Sequence, residues 1–151
     1  LVKALVVAAI GWPIALGMVV WVQAAGDRPL WAVAIYAACA FVCHQIPERS
    51  FHTAGVQWPV CARCAGLYLS APVGALLALW TLHGRPAAQE ASSAIRVVAV
   101  AAVPTATTLA LEWAGLAAPS NMVRAVAALP LGAAITFVIV RTASGSRKAI
   151  E

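Results

Sequence analysis

Cys43, Cys61 and Cys64 are three thiolate-forming side chains close in sequence, with His44 beside the first and His52 between the groups. A Cys-x-x-Cys pair at the start of a helix is a recurrent half-site for Zn²⁺ or another thiophilic metal, and His44 is the candidate fourth ligand. His44 adjoins Cys43, which makes joint ligation of one ion awkward, and His52 is the looser substitute. The same atoms allow other chemistries. At a helix N-terminus, with Arg63 between them, Cys61 and Cys64 would have depressed thiol pKa values and could cycle as a disulfide, with Cys43 as exchange partner. A plain structural disulfide would instead pin two helices together and leave one thiol free. A metal centre with an open position, acting on a small anionic or lipid-derived substrate, is a further reading, with Cys61, Cys64 and Glu112 as candidate catalytic groups. His44 as an axial ligand leaves haem open as well. Cys39, one turn before Cys43 in an apolar run, reads as a small packed hydrophobe.

A second constellation is charged. Arg49, Arg63 and Arg124 can snorkel toward headgroups, pair with Glu112, or offer a fork to an anion such as phosphate or carboxylate. Glu112 and Arg124 flank the short turn Ala117-Ala118-Pro119-Ser120, so these two form the expected pair. Cys61, Cys64 and Tyr68 fall at i, i+3 and i+7, one face of a helix. Thr105, Thr108 and Glu112 repeat that spacing, and Asn121 and Arg124 are i and i+3. Three inward polar stripes, with Gln45, Arg49 and His52 above them, would enclose a small wet pocket between helices. There, Gln45, Arg49, His52, Arg63, Tyr68, Asn121 and Arg124 orient the ligands or bind an anion.

Those residues need elements to hold them at one depth, and the composition says which. Of 151 residues 63% are hydrophobic and only 10% charged, with a mean hydropathy of +0.89. That is far from the roughly one-quarter charged residues of a soluble domain, and it makes the chain an integral membrane protein. The net charge of +5 points to no nucleic acid, because the basic residues stand singly at the ends of apolar runs. Five apolar segments are expected: Ala4 to Ala25, Leu30 to Cys43 (long enough only if it reaches about Ile46), Pro59 to Leu82, Val97 to Leu116, and Met122 to Val140. The first is long and lacks a clean cleavage pattern, so it reads as a retained span rather than a signal peptide. Residues 44–58 and 83–93 read as polar loops, 1–142 as the transmembrane domain and 143–151 as a polar, frayed tail. The fold class is therefore all-α, a polytopic helical bundle of about five helices, or four if the second does not span.

Gly66, Ser70 and Gly74 give the third helix a face that a neighbour can approach closely. Trp31, Trp58, Trp80 and Trp113 lie near expected helix ends and suit an aromatic belt, and His83 reads as an interfacial residue. With five spans the ends fall on opposite sides, and the basic-residue bias places the C-terminus in the cytoplasm and the thiol end outside. The absence of an inverted repeat argues against a transporter. The partner implied is the lipid bilayer, and a second copy of the chain stays open.

The string Cys43-His-Gln-Ile-Pro-Glu-Arg-Ser-Phe51, followed by Pro59-Val-Cys-Ala-Arg-Cys-Ala-Gly-Leu-Tyr68, resembles the signature of the domain-of-unknown-function 2085 family of small prokaryotic integral membrane proteins. The resemblance is close from Cys43 to Gly74 and extends more loosely to Ser120-Asn121-x-x-Arg124. An acidic residue precedes that last motif in the family, and Glu112 is the candidate match. Cys39 lies outside the pattern. The resemblance implies a membrane bundle in which these residues group together, and it implies no particular activity.

Overall fold

The computed structural model describes residues 1–81 and 90–148, and side chains over 1–81 and 93–144. Among the described residues there are five helices: α1 (Val2–Ala24), α2 (Leu30–Ala40), α3 (Ala62–Thr81), α4 (Glu90–Trp113) and α5 (Asn121–Lys148). Between α2 and α3 lie a single 3₁₀ turn, Pro47–Arg49, and a hairpin of β1 (Ser50–Thr53) and β2 (Val56–Cys61). Four of the helices are long and apolar enough to cross a bilayer. α2 is not: its 11 residues rise only about 16 Å, against roughly 30 Å of hydrocarbon.

The short α2 leaves the start of α1 beside the later part of α5. Leu16 of α1 packs with Cys39, Cys43, Val60 and Ala65, and further along α1 Val19 and Val20 pack with Ala32. α2 therefore runs back beside the C-terminal half of α1 without reaching the far end. At that far end Val2, Leu5 and Val6 of α1 pack around Ala75, Ala78 and Val140. The start of α1 and the C-terminal part of α5 thus lie at the same end of the bundle.

α3 and α5 form the central pair and run parallel. A Cβ placed on Gly66 would come 2.2 Å from the carbonyl oxygen of Ala125, and one on Gly74 would come 2.1 Å from that of Ala133. Small side chains let the two backbones touch, which is how helices gain dispersion contacts where lipid removes the hydrophobic drive. From the α5 side, Gly132 approaches Leu67 in the same way. α1 packs on α3, while α4 packs chiefly on α5. Between Ser93 and Trp113 no residue of α4 is buried.

The segment read as a loop, 44–58, is built. Its β1–β2 turn is Ala54-Gly55, both with positive φ (50° and 79°), the two-residue turn whose twist suits a hairpin. Register runs Ser50↔Cys61, His52↔Gln57 and Thr53↔Val56, with an irregularity between Ser50 and His52. Pro59 lies opposite that irregularity; lacking an N–H, it cannot complete a regular ladder. Trp58 belongs to this hairpin rather than to a belt: it is half-buried, stacks edge-on against Phe51 and donates from Nε1 to Thr53 Oγ1 at 3.0 Å. Trp80 and Trp113 are exposed as a belt requires. The expected loop 83–93 lies mostly outside the described residues, His83 with it, and α4 begins at Glu90. The expected tail, 143–151, continues α5 as helix through Lys148, and residues 149–151 lie outside the described residues.

Candidate thiol site and arginine cluster

The sulfur atoms of Cys43, Cys61 and Cys64 all lie within 4.8 Å of one another. Three different local structures bring them together. Cys43 follows α2 by one further turn, its N–H bonded to the carbonyl of Cys39 at 2.9 Å. Cys61 is the last residue of β2 and occupies the N-cap place of α3. Cys64 is in the first turn of α3. The Cys61 N–H reaches Cys43 Sγ at 3.1 Å. Cys43 is buried and the other two are half-buried, and all four cysteines are free thiols. Cys39, 1% exposed, packs in the same apolar cluster, as expected of a small hydrophobe.

Gln45 fixes the path between Cys43 and the hairpin. Its φ of 49° is the left-handed conformation that non-glycine residues avoid, and three hydrogen bonds hold it there. Its Nε2 donates to the carbonyls of Tyr36 at 2.9 Å and Pro59 at 2.8 Å, and its own carbonyl accepts from Gln57 Nε2 at 2.6 Å. Tyr36 donates its hydroxyl to the Gln57 carbonyl in turn. Gln45 thus fastens the end of α2 to β2, which sets the distance from Cys43 to Cys61.

Electrostatics favour a thiolate at Cys61. The Cys64 thiol hydrogen-bonds to it, and the backbone N–H groups of Cys64 and Arg63 and the Cys43 thiol add to that, outweighing burial and pushing Cys61 down to about 5. A thiolate capping the first turn of a helix accepts donors that otherwise have no partner. Tyr68 packs beside the thiols, edge-on to Trp12 with ring centroids 6.2 Å apart. His44 is exposed and is not in the three-sulfur group, and His52 is exposed on β1.

The second constellation begins in the same first turn of α3. Glu112, near the end of α4, receives three guanidinium groups: Arg63 Nη2 at 2.6 Å, Arg124 Nη2 at 3.0 Å and Arg49 Nη2 at 3.1 Å. The expected Glu112–Arg124 pair is present, and Arg49 and Arg63 join it. Asn121 ties this cluster to the hairpin, donating Nδ2 to the carbonyl of Ser50 at 2.9 Å while its Oδ1 accepts from Arg124 Nη1 at 2.8 Å. Arg63 stands between the two cysteines of the Cys-x-x-Cys pair, so the thiol group and the carboxylate share one turn of α3.

Of the second stripe, only Glu112 joins the arginine cluster. Thr105 donates Oγ1 to the carbonyl of Ala127 at 2.8 Å, a bond between α4 and α5, and Thr108 turns its hydroxyl back to the carbonyl of Thr105. Spacing found these residues; the structure gives them a helix-joining task. Ser50 stood within the sequence motif, but Gln57 and Tyr36 were missed, and the signal for Gln57 was a polar stretch too rich in β-branched and aromatic residues to be plain loop.

The chain is 41% identical over 46 residues to an uncharacterized protein of Methanocaldococcus jannaschii, covering 30% of each chain. It is 52% identical over 31 residues to an uncharacterized protein of Methanothermobacter thermautotrophicus, covering 20% of this chain and 28% of the other. The chain thus matches less than a third of the length of these curated relatives. No solved structure matches it. The family model described as "Predicted membrane protein (DUF2085)" matches residues 43–138. That stretch holds every cysteine of the thiol group and every member of the arginine cluster, and over more than half its length the chain belongs to the DUF2085 family of membrane proteins.

Proposed function

We propose that this membrane protein binds Zn²⁺ or a similar soft metal ion through the thiolates of Cys43, Cys61 and Cys64, with His44 as the candidate for the fourth position. The observation that carries this is the convergence of three sulfurs within 4.8 Å. Tetrahedral zinc with Zn–S bonds of about 2.3 Å places its sulfurs about 3.8 Å apart, so a small inward movement completes the geometry. Support comes from the depressed Cys61 thiol, since metals bind thiolates. His44 reaches the ion only by turning inward from its exposed position; otherwise the fourth position is left for water or a substrate.

The start of α1 and the described end of α5 lie at the end of the bundle away from the thiols. Lys3, Arg85, Arg96, Arg141, Arg147 and Lys148 flank the spans there by sequence, against Arg28, Arg49, Arg63 and Arg124 at the thiol end. Three of the latter are taken up by Glu112. The positive-inside bias supports a cytoplasmic side for the start of α1 and the end of α5, with the thiol site outside.

The test is elemental analysis of freshly purified protein in detergent with thiol counting in parallel. About one equivalent of metal is expected, lost in Cys61→Ser and in Cys64→Ser and retained in Cys39→Ser. Metal-free protein carrying a Cys61–Cys64 disulfide would overturn this and favour thiol–disulfide exchange, which the same depressed thiol also suits. In metal-free, reduced protein, alkylation of Cys61 mapped by mass spectrometry should persist down to about pH 5 and fall away below it. An ordinary thiol would lose its reactivity several units higher.

A further inference from the structure

We infer that the cleft beside Glu112 is a binding site for a phosphate group, held by Arg49 and Arg124 with Arg63 behind them. Three guanidinium groups surround one carboxylate, leaving a formal excess of two positive charges. Among the described residues, Glu48 and Glu112 balance Arg49 and Arg124 on the cleft's own lining, so the remaining positive charge is that of Arg63 behind it. Cations at the end of membrane-spanning helices are costly unless paired or hydrated. Glu112 contacts all three, but its single charge neutralises only one of them.

The hydrogen-bond inventory gives the same answer independently. A guanidinium carries five N–H donors. Arg124 uses two of its nitrogens, on Asn121 and Glu112, and Arg63 uses one, on Glu112. The Nε atoms of both arginines are buried without a protein partner. Buried donors are ordinarily satisfied, so this cluster is short of acceptors as well as of negative charge.

Space is present beside it. Glu48, Arg49, Glu112, Arg124 and the turn Gly115–Ala118 line a cleft of about 540 Å³. Arg49 is the most open of the three arginines, its side chain 42% exposed. Gly115 takes φ 69° and the residues after Leu116 are alanines, so a ligand meets small groups on that wall. Glu112 already takes the Nη2 atom of each arginine. The remaining donors diverge from separate arginines, and a tetrahedral oxyanion with several acceptor oxygens suits them better than a second carboxylate. The cleft opens where α4 ends and α5 begins, so the phosphate can come from a lipid headgroup or from solution.

Full-length protein tests this in two arms. In detergent, inorganic phosphate is titrated against the melting temperature, with potassium chloride at equal ionic strength as control. In nanodiscs of phosphatidylcholine with and without phosphatidylglycerol, retained lipid is counted by native mass spectrometry. Saturation in the first arm assigns a soluble phosphate, and selective retention in the second assigns a headgroup. Arg49→Gln, at a half-exposed position that leaves the Arg63–Glu112–Arg124 group in place, should weaken binding by about tenfold. Glu48→Gln should strengthen it. A response matched by chloride, no saturation in either arm, or equal binding by Arg49→Gln would overturn the inference. Repeating both arms on Cys61→Ser protein, where binding should persist, separates this outcome from the fate of the metal site.

Discussion

The α3–α5 seam and the attachment of α4 solve one problem by different means. Along the seam, Gly66, Gly74 and Gly132 bring backbone against backbone, and no charge is involved. α4 has no buried residue between Ser93 and Trp113. It is held at one end by Glu112 among three arginines and farther along by the Thr105 hydroxyl on the Ala127 carbonyl. Packing of small residues is dense and indifferent to pH or salt, whereas a carboxylate among guanidiniums is strong only while each partner remains charged and in place. The seam therefore sets the geometry of the thiol site, and α4 is the element whose position can respond to what binds beside it.

Breaking the seam should have the largest effect. Gly74→Leu drives a side chain into the Ala133 backbone and should destabilise the protein by about 4 kcal/mol or more, read as loss of a monodisperse folded species in detergent. Gly11→Ala in α1, where a Cβ meets nothing within 4 Å, should leave the melting temperature unchanged. If Gly74→Leu melted like the parent, the backbone contact would not be what holds α3 to α5.

The attachment of α4 should be the next most sensitive. Glu112→Ala strands three cations and should cost on the order of 3 kcal/mol, and pairing it with Arg124→Ala should cost less than the sum of the two. Strict additivity in that cycle would mean the two residues do not act as one unit. The smallest effect is expected from Thr105→Val, which removes one interhelical hydrogen bond worth about 0.6 kcal/mol in a membrane protein. A loss as large as that of Glu112→Ala would show that hydroxyl bonding, rather than charge, anchors α4.

Much of this arrangement was legible in residue spacing. Gly66, Ser70 and Gly74 at four-residue intervals marked the seam, because close helix packing in lipid demands small residues on one face. The grouping of Cys43, Cys61 and Cys64, and the Glu112–Arg124 pair, followed from type and depth. What spacing could not supply was the hairpin: residues 50–61 earn their strands from pairing with each other and from Gln45 and Gln57, long-range bonds that no local period encodes. Nor could it decide whether Leu30–Cys43 crosses the membrane, since its hydropathy is that of a span and only its observed end at Ala40 shows it to be too short. The side on which the N-terminus lies depended on that single helix.

β2 ends at Cys61 and α3 begins at Ala62, with no residue between them. A strand that hands over directly to a membrane helix turns the hairpin into a key cut for one orientation of that helix. Slipping the hairpin by one residue would turn every β2 side chain to the opposite face, while one residue more or less in α3 would rotate its first turn by about 100°. Either change would carry Cys61 or Cys64 away from Cys43 and Arg63 away from Glu112 together. A residue added at the Ala54-Gly55 tip, by contrast, would lengthen the hairpin without turning the lock.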